Sequence, residues 1–412
     1  MAHQILSSRD RTGSRRMRRA HLVATATLAA STLLLAACGS AIQDSAGGGS
    51  DDVLTIGLIA PLTGPVVPEG TALERGFELG VKRINEQGGV LGKPVKFVQV
   101  DDEANVAKST QLAQRLINQD HVDFLFGTIP GDTTAAVAQV SAEAKVPFAS
   151  AILGDAPFCG HYFFSFGEPD QTMLDGIVPE MLQKHGDKVA LVGNDYVFPR
   201  AYNAKARAMI ERAGGKVVME EYSPLGTSDW QPVVRKIGAA APDWVLSSVV
   251  GGDAVAFVTQ LDQARALAHM GFTGVSLNQD FYPSLKSRTE GMVLSGRYSD
   301  QLDNQANADF VENYRDSYDF TDPIPSVAAN AYEGVQAIAR AVDKAGTTKP
   351  DAVVKALAAT SVDHGVFGSG TFTKDHYFVT DMYLFQIQSG GAYVPVKDLG
   401  ALQTLPPNPA CS

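Results

Sequence analysis

The chain has 412 residues, length enough for two or three domains, and 45% hydrophobic with 8% aromatic content fits a folded protein, not a disordered or fibrous one. With 34 basic against 45 acidic residues, a net charge of −11, and no long basic run beyond the first twenty positions, the stripe needed for nucleic acid binding is missing. Three cysteines and eight histidines, with no Cys-x-x-Cys or His-x-x-x-His pair, exclude a structural zinc site, and no metal or cofactor is expected.

Residues 1–37 read as a secretion leader: Arg9, Arg11, Arg15, Arg16, Arg18 and Arg19 precede an uncharged stretch at 22–37, too short for a membrane span but right for a signal. Arg15-Arg16 also fits a twin-arginine signal, except that Met17-Arg18 stands where that pattern has an apolar pair, so the export route stays open. The leader ends in Leu35-Ala36-Ala37-Cys38, which resembles the lipobox of bacterial lipoproteins and implies a diacylated Cys38 holding the protein to the outer face of a bacterial membrane. Losing the leader lowers the counts to 28 basic and 44 acidic residues, a net charge of −16, which suits an acidic exported domain and not headgroup binding. Residues 38–52 are rich in Gly, Ser and Ala and form a flexible tether of about 20 Å on the random-coil estimate.

Residues 53–60 are a continuous apolar run closed by Pro61, as in a strand buried on both faces of a parallel sheet. Leu73, Phe77, Val81 and Ile84 then form one stripe of a helix that Gly88-Gly89 stops. Strands at 95–100, 122–126 and 146–149 alternate with helices at 107–117 and 133–144, the β-α-β order of a doubly wound sheet. After a loop at 167–171, strands at 189–192, 217–222 and 244–249 alternate with helices at 204–213 and 233–240, which predicts a second lobe. Helices at 328–345 and 351–359, and an antiparallel pair over 383–396 around Ser389-Gly390-Gly391, return to complete the two lobes. The expected division is 53–167 with 300–372 as the first lobe and 168–299 with 373–405 as the second. Ligands of open α/β sheets bind outside the carboxyl ends of the strands, so two such sheets facing each other make a cleft.

Three stretches of the first lobe carry a resemblance: Ile56-Gly57-Leu58 with Pro61-Leu62-Thr63-Gly64, then Ile84-Asn85-x-x-Gly88-Gly89-Val90-Leu91-Gly92, then Asp101-Asp102. This series resembles the periplasmic solute-binding proteins for branched-chain amino acids, urea and short amides, which serve ABC importers. In the second lobe, Asn194-Asp195-Tyr196-Val197-Phe198-Pro199-Arg200 and Glu220-Glu221-Tyr222-x-Pro224-Leu225-Gly226 look closer to the urea and amide branch. The resemblance covers residues 53–397 and implies a type I binding-protein fold, α/β, with two doubly wound Rossmann-like lobes joined by a three-strand hinge. It also implies hinge closure over a small solute, with the permease and ATPase subunits of an importer as partners.

Candidate ligand residues sit at predicted strand ends. Thr128, Asp132, Thr133 and Thr134 join a strand to a helix start, where free N–H groups attract a carboxylate or carbonyl oxygen and hydroxyls add donors; Asp132 or Thr133 also reads as a plain helix cap. Ser150 and Ala151 follow the next strand, where the resemblance places backbone groups against the ligand, and Tyr196 and Phe198 lie at the matching edge of the second lobe, with Phe198 as the implied wall. Asp253 and Asp280 follow further strands, and Asp280 resembles the acid that accepts a ligand ammonium in the amino-acid binders. A zwitterion needs both a carboxylate cradle and such an acid, whereas a neutral amide needs only hydrogen bonds, and both solutes stay open. Cys159 and Cys411 are an even pair in a compartment that permits a disulfide.

The glycines at 88–92 lack the spacer and Ser/Thr of a phosphate loop, and those at 365–370 are in the wrong order for a dinucleotide fingerprint; both are turns. Without a Gly-x-Ser-x-Gly elbow or a clustered His set, a hydrolase is not supported and the chain is expected not to be an enzyme. The alternative to transport is an extracytoplasmic ligand sensor on the same fold.

Overall fold

The computed structural model describes residues 53–155 and 158–401; the leader, the tether, Cys38 and Cys411 lie outside them. The first lobe consists of β1 (Thr55–Ala60), α1 (Val67–Glu86), β2 (Lys96–Asp101), α2 (Val106–Asn118), β3 (Phe124–Gly127), α3 (Gly131–Ala144), β4 (Phe148–Ser150) and β5 (Phe163–Ser165). Its strands form a parallel sheet in the order β2-β1-β3-β4-β5. Helices cover both faces, which is why β1 is apolar at successive positions: Ile56 and Leu58 join the core beneath α1, with Phe77, while Ile59 joins the opposite core, with Leu116 and Val137.

The second lobe begins with α4 (Asp170–His185) and continues through β6 (Lys188–Asn194), α5 (Val197–Arg212), β7 (Lys216–Ser223), α6 (Gln231–Ala240), β8 (Trp244–Ser248), α7 (Gly251–Gln263) and β9 (Gly271–Gly274). The parallel order is β7-β6-β8-β9. After α8 (Tyr282–Leu285) and β10 (Val293–Gly296), the chain returns to the first lobe with α9 (Gln305–Tyr318), α10 (Ser326–Ala345) and α11 (Pro350–Ala358). It ends with β11 (Ser361–Gly365), β12 (Gly368–Phe372), β13 (Phe378–Ile387) and β14 (Tyr393–Ala401), of which β13 and β14 are the expected antiparallel pair. Helix α10 lies along α1 at very short range: a Cβ on Gly76 would fall 2.0 Å from the Ala328 carbonyl oxygen.

Several expectations need correction. The segment at 167–171 is not all loop, since α4 starts at Asp170 and runs through an internal Pro179. Residues 251–253, after β8, open α7, and 275–281, after β9, make short 3-10 turns. An antiparallel sheet in the order β10-β13-β12-β11, with β14 beside β13, was not expected beyond the β13-β14 pair. Within it β13 pairs with β12 through residues 378–380 and with β10 through residues 383–386, so this one strand runs from the first lobe to the second.

The chain thus passes between the lobes three times: after β5, after β10 and along β13. A buried ion pair sits among these passages. Arg297, 1% exposed, donates its Nη2 to the Gly167 carbonyl (2.6 Å), stands 3.5 Å from Glu168 through Nε, and gives its backbone N–H to Glu168 Oε1 (3.3 Å). Burial pushes the Glu168 pKa up and the Arg297 pKa down, to about 10 for the arginine, each restrained by the opposite charge of the other.

Candidate functional site

Between the lobes lies a cleft partly open to solvent, with about 640 Å³ of empty space when that open solvent is counted. From the first lobe it is lined by Val66 and Glu69 of the α1 start, Ile129 to Gly131 of the β3-α3 junction, Ile152 and Leu153 after β4, and Val327 of α10. From the second come Tyr196 and Phe198, Leu225, Val250, and Val275, Asn278, Asp280 and Phe281 after β9. Apart from α10's Val327, these segments follow the carboxyl ends of parallel strands, where open α/β sheets place their ligands.

Four helices start at this cavity, with N-caps Val66, Pro130, Tyr196 and Val250, and none of these four residues supplies a side-chain cap to its own helix. By contrast Asn105 and Asn304 cap α2 and α9, which do not line it. The positive ends of α1, α3, α5 and α7 thus face a largely apolar space.

Two carboxylates stand against them. Glu69 is 8% exposed; its Oε1 accepts the Gly251 backbone N–H at 3.1 Å, a hydrogen bond from α7 of one lobe to α1 of the other, while its buried Oε2 has no partner. Burial pushes the Glu69 pKa up to about 7. Asp280 likewise keeps a buried, unpartnered Oδ1, and burial followed by the Glu69 charge raises its pKa well above the carboxylate range. No Lys, Arg or His is among the described residues that line the cavity. Tyr196 is raised by burial and by the charges of Glu69 and Asp132, so its phenol stays protonated.

Among the residues predicted from sequence, the fold brings Tyr196, Phe198 and Asp280 together on the cavity wall. Gly154 allows the Phe198 ring to lie over the loop after β4, since a Cβ there would meet Phe198 Cδ2 at 2.7 Å. Thr128, Thr133 and Thr134 are fully buried and turned inward: the Thr128 and Thr134 hydroxyls bond each other (2.7 Å), and the Thr133 and Thr134 hydroxyls donate to the Pro130 carbonyl (2.8 and 2.9 Å). Asp132 accepts the Thr133 N–H at 3.0 Å, and it is Pro130, not Asp132 or Thr133, that holds the cap position of α3.

Ser150 accepts the Ile152 N–H (3.3 Å), and the Ala151 carbonyl accepts from Asn330 Nδ2 (3.3 Å). Asp253, 6% exposed, spends Oδ2 on Asn194 Nδ2 (2.6 Å) and on the N–H groups of Gly226 (2.9 Å) and Thr227 (3.0 Å). It anchors the loop after β7 and does not reach the cavity lining. Glu69 went unforeseen, because Pro68-Glu69 at a helix start reads as ordinary helix-terminal chemistry. Cys159 is disulfide-bonded, and its expected partner Cys411 lies outside the described residues.

The chain belongs to the periplasmic binding protein family, whose sequence model matches residues 53–392. Leu/Ile/Val-binding protein homolog 7 of Brucella abortus is 25% identical over 356 residues, covering 82% of this chain and 88% of its own. Among solved structures, the branched-chain amino acid transporter substrate-binding protein LivJ of Streptococcus pneumoniae, in complex with isoleucine, is 25% identical with a TM-score of 0.72, over 85% of this chain and 99% of that one. An R. palustris ABC-transporter solute-binding protein in complex with benzoate has the same fold at 23% identity, with a TM-score of 0.79 over 87% of this chain and 99% of that one. The leucine-binding-protein-like fold expected from sequence is therefore present, and the role is substrate binding outside the cytoplasm, without catalysis. Among the described residues no helix is long and apolar enough to cross a membrane.

Proposed function

We propose that this protein is the solute receptor of an ABC importer and that its solute is an amino acid with an apolar side chain. One observation carries the reading: two carboxylates with unpartnered buried oxygens, Glu69 Oε2 and Asp280 Oδ1, share an apolar cavity with the start of α3, whose N-cap Pro130 supplies no side-chain cap. An ammonium group supplies the donors that the two oxygens lack. A carboxylate is matched by the free N–H groups of the α3 start beside Gly131. The side chain then lies among Ile129, Ile152, Phe198, Leu225 and Val275. Urea has no apolar part to cover the wall of Ile129, Ile152, Phe198, Leu225 and Val275, and a benzoate-like anion would bring a further negative charge, without an ammonium to offset it, to a wall without a cation.

The leader and lipobox support secretion and anchoring through Cys38, with delivery of the solute to permease and ATPase subunits. Mass spectrometry of the membrane fraction is expected to find a diacylglyceryl mass on Cys38; a soluble protein with unmodified Cys38 refutes the anchor. The solute is tested by a thermal-shift screen of stripped protein against apolar amino acids, amides, urea, benzoates and sugars. A ligand at 100 times its dissociation constant adds about 2.7 kcal/mol of stability. Shifts confined to sugars, amides or benzoates would overturn the amino-acid assignment.

A further inference from the structure

We infer that Glu69 is the specificity-determining residue of the cleft, reading the amine of the solute with one carboxylate oxygen while the other fastens the second lobe. This rests on the amino-acid reading and adds to it a requirement for a primary amine, coupled to closure. Glu69 stands in the first turn of α1, and its Oε1 already holds the first N–H of α7 across the cleft at 3.1 Å. That bond fixes the carboxyl group, so the remaining oxygen is presented to the cavity in a set direction, more than nine-tenths buried and without a partner.

Asp280, from the other lobe, presents a second buried oxygen without a partner. Two anionic acceptors belonging to different lobes ask for one group that donates in two directions and is positive. A primary ammonium has three N–H bonds and satisfies both; a tertiary ammonium has one and leaves a carboxylate orphaned; a solute without the amine leaves both orphaned and the charges opposed. Without such a group, the two buried carboxyls must either take up a proton or press like charges together in an apolar space, and either cost disfavours the empty closed form. Binding the amine therefore removes the obstacle to closure, and closure completes the Glu69-Gly251 bond.

Glu69→Gln separates the two roles. The amide oxygen still accepts from Gly251, while its NH₂ turns toward Asp280 in place of the solute, so the variant is expected to close when empty and to lose its preference for the amine. Isothermal titration is run with L-leucine, L-isoleucine and L-valine, their N,N-dimethyl forms and the corresponding acids lacking the amine. The wild type is expected to prefer the primary amines at least tenfold, and Glu69→Gln to lose most of that preference. Small-angle scattering of the empty variant is expected to give the radius of gyration of the ligand-bound wild type. Asp280→Asn leaves the Gly251 bond intact and relieves the same opposition from the second lobe, so it is expected to weaken amine binding and, like Glu69→Gln, to lower the radius of gyration of the empty protein. Amine binding with an unchanged preference in Glu69→Gln and an unchanged empty radius overturns this inference alone. Binding of only the amine-free acids by the wild type overturns the amino-acid reading and this inference with it.

Discussion

Asp280 lies near enough to Glu69 for one charge to raise the other's pKa, and each has a buried oxygen without a partner. A carboxyl whose folded-state pKa is raised binds more protons folded than unfolded, so it costs stability as pH rises from its ordinary range through the folded value. For Glu69 that window runs from 4.5 to about 7. The other groups that sense this pair are Tyr196, raised in part by Glu69, and Tyr314 and Tyr393, raised in part by Asp280. Asp280→Asn is therefore expected to raise the melting temperature of the empty protein more at pH 8 than at pH 5, while weakening amine binding at pH 8 by about 2 kcal/mol, the scale of a hydrogen bond to a charged group. Melting scans and titration calorimetry at both pH values read the two opposite effects, and equal melting shifts at both would contradict the charge argument. Asp280, Tyr196 and Phe198 were legible because each follows a predicted strand at its carboxyl end. The threonine hydroxyls misled, since sequence spacing cannot tell a hydroxyl facing a ligand from one tied to the Pro130 carbonyl.

At the scale of elements, alternating apolar runs exposed the two parallel sheets in outline, because strands buried on both faces have little freedom in composition. The rest of the antiparallel sheet escaped because its pairings include long separations, as with Val293 opposite Gln386. Helix α4 escaped because Pro179 interrupts its pattern, and α9 because only Asn307, Phe310 and Tyr314 of its fourteen residues are buried. The contact of α1 with α10 makes a sharp test of packing. Gly76→Ala forces a methyl group to within 2.0 Å of the Ala328 carbonyl oxygen, so the backbones must part. A loss of about 2–3 kcal/mol in urea unfolding is expected, on the scale of an overpacked core. Solute affinity falls as well, because α1 carries Glu69 and α10 carries Val327 into the cavity.

Across the whole molecule the two lobes meet where Gly251 faces Pro65. Gly251 has φ +60°, and a Cβ there would lie 2.5 Å from the Pro65 carbonyl oxygen. Gly251→Ala therefore strains the α7 start and also obstructs the closed arrangement in particular. Binding at least tenfold weaker, with a larger radius of gyration in saturating solute, is the expected result; an unchanged scattering profile would show that the lobes tolerate the methyl group. The same residue carries an intrinsic reporter. Its amide hydrogen is held by a carboxylate from the opposite lobe and becomes free to exchange with solvent each time the lobes part. The amide of Arg297, bonded to Glu168 where the passages between the lobes gather, is shielded in either arrangement. Deuterium uptake at Gly251 divided by uptake at Arg297 thus counts opening events directly, and a solute that shuts the lobes is expected to slow the first amide while leaving the second unchanged.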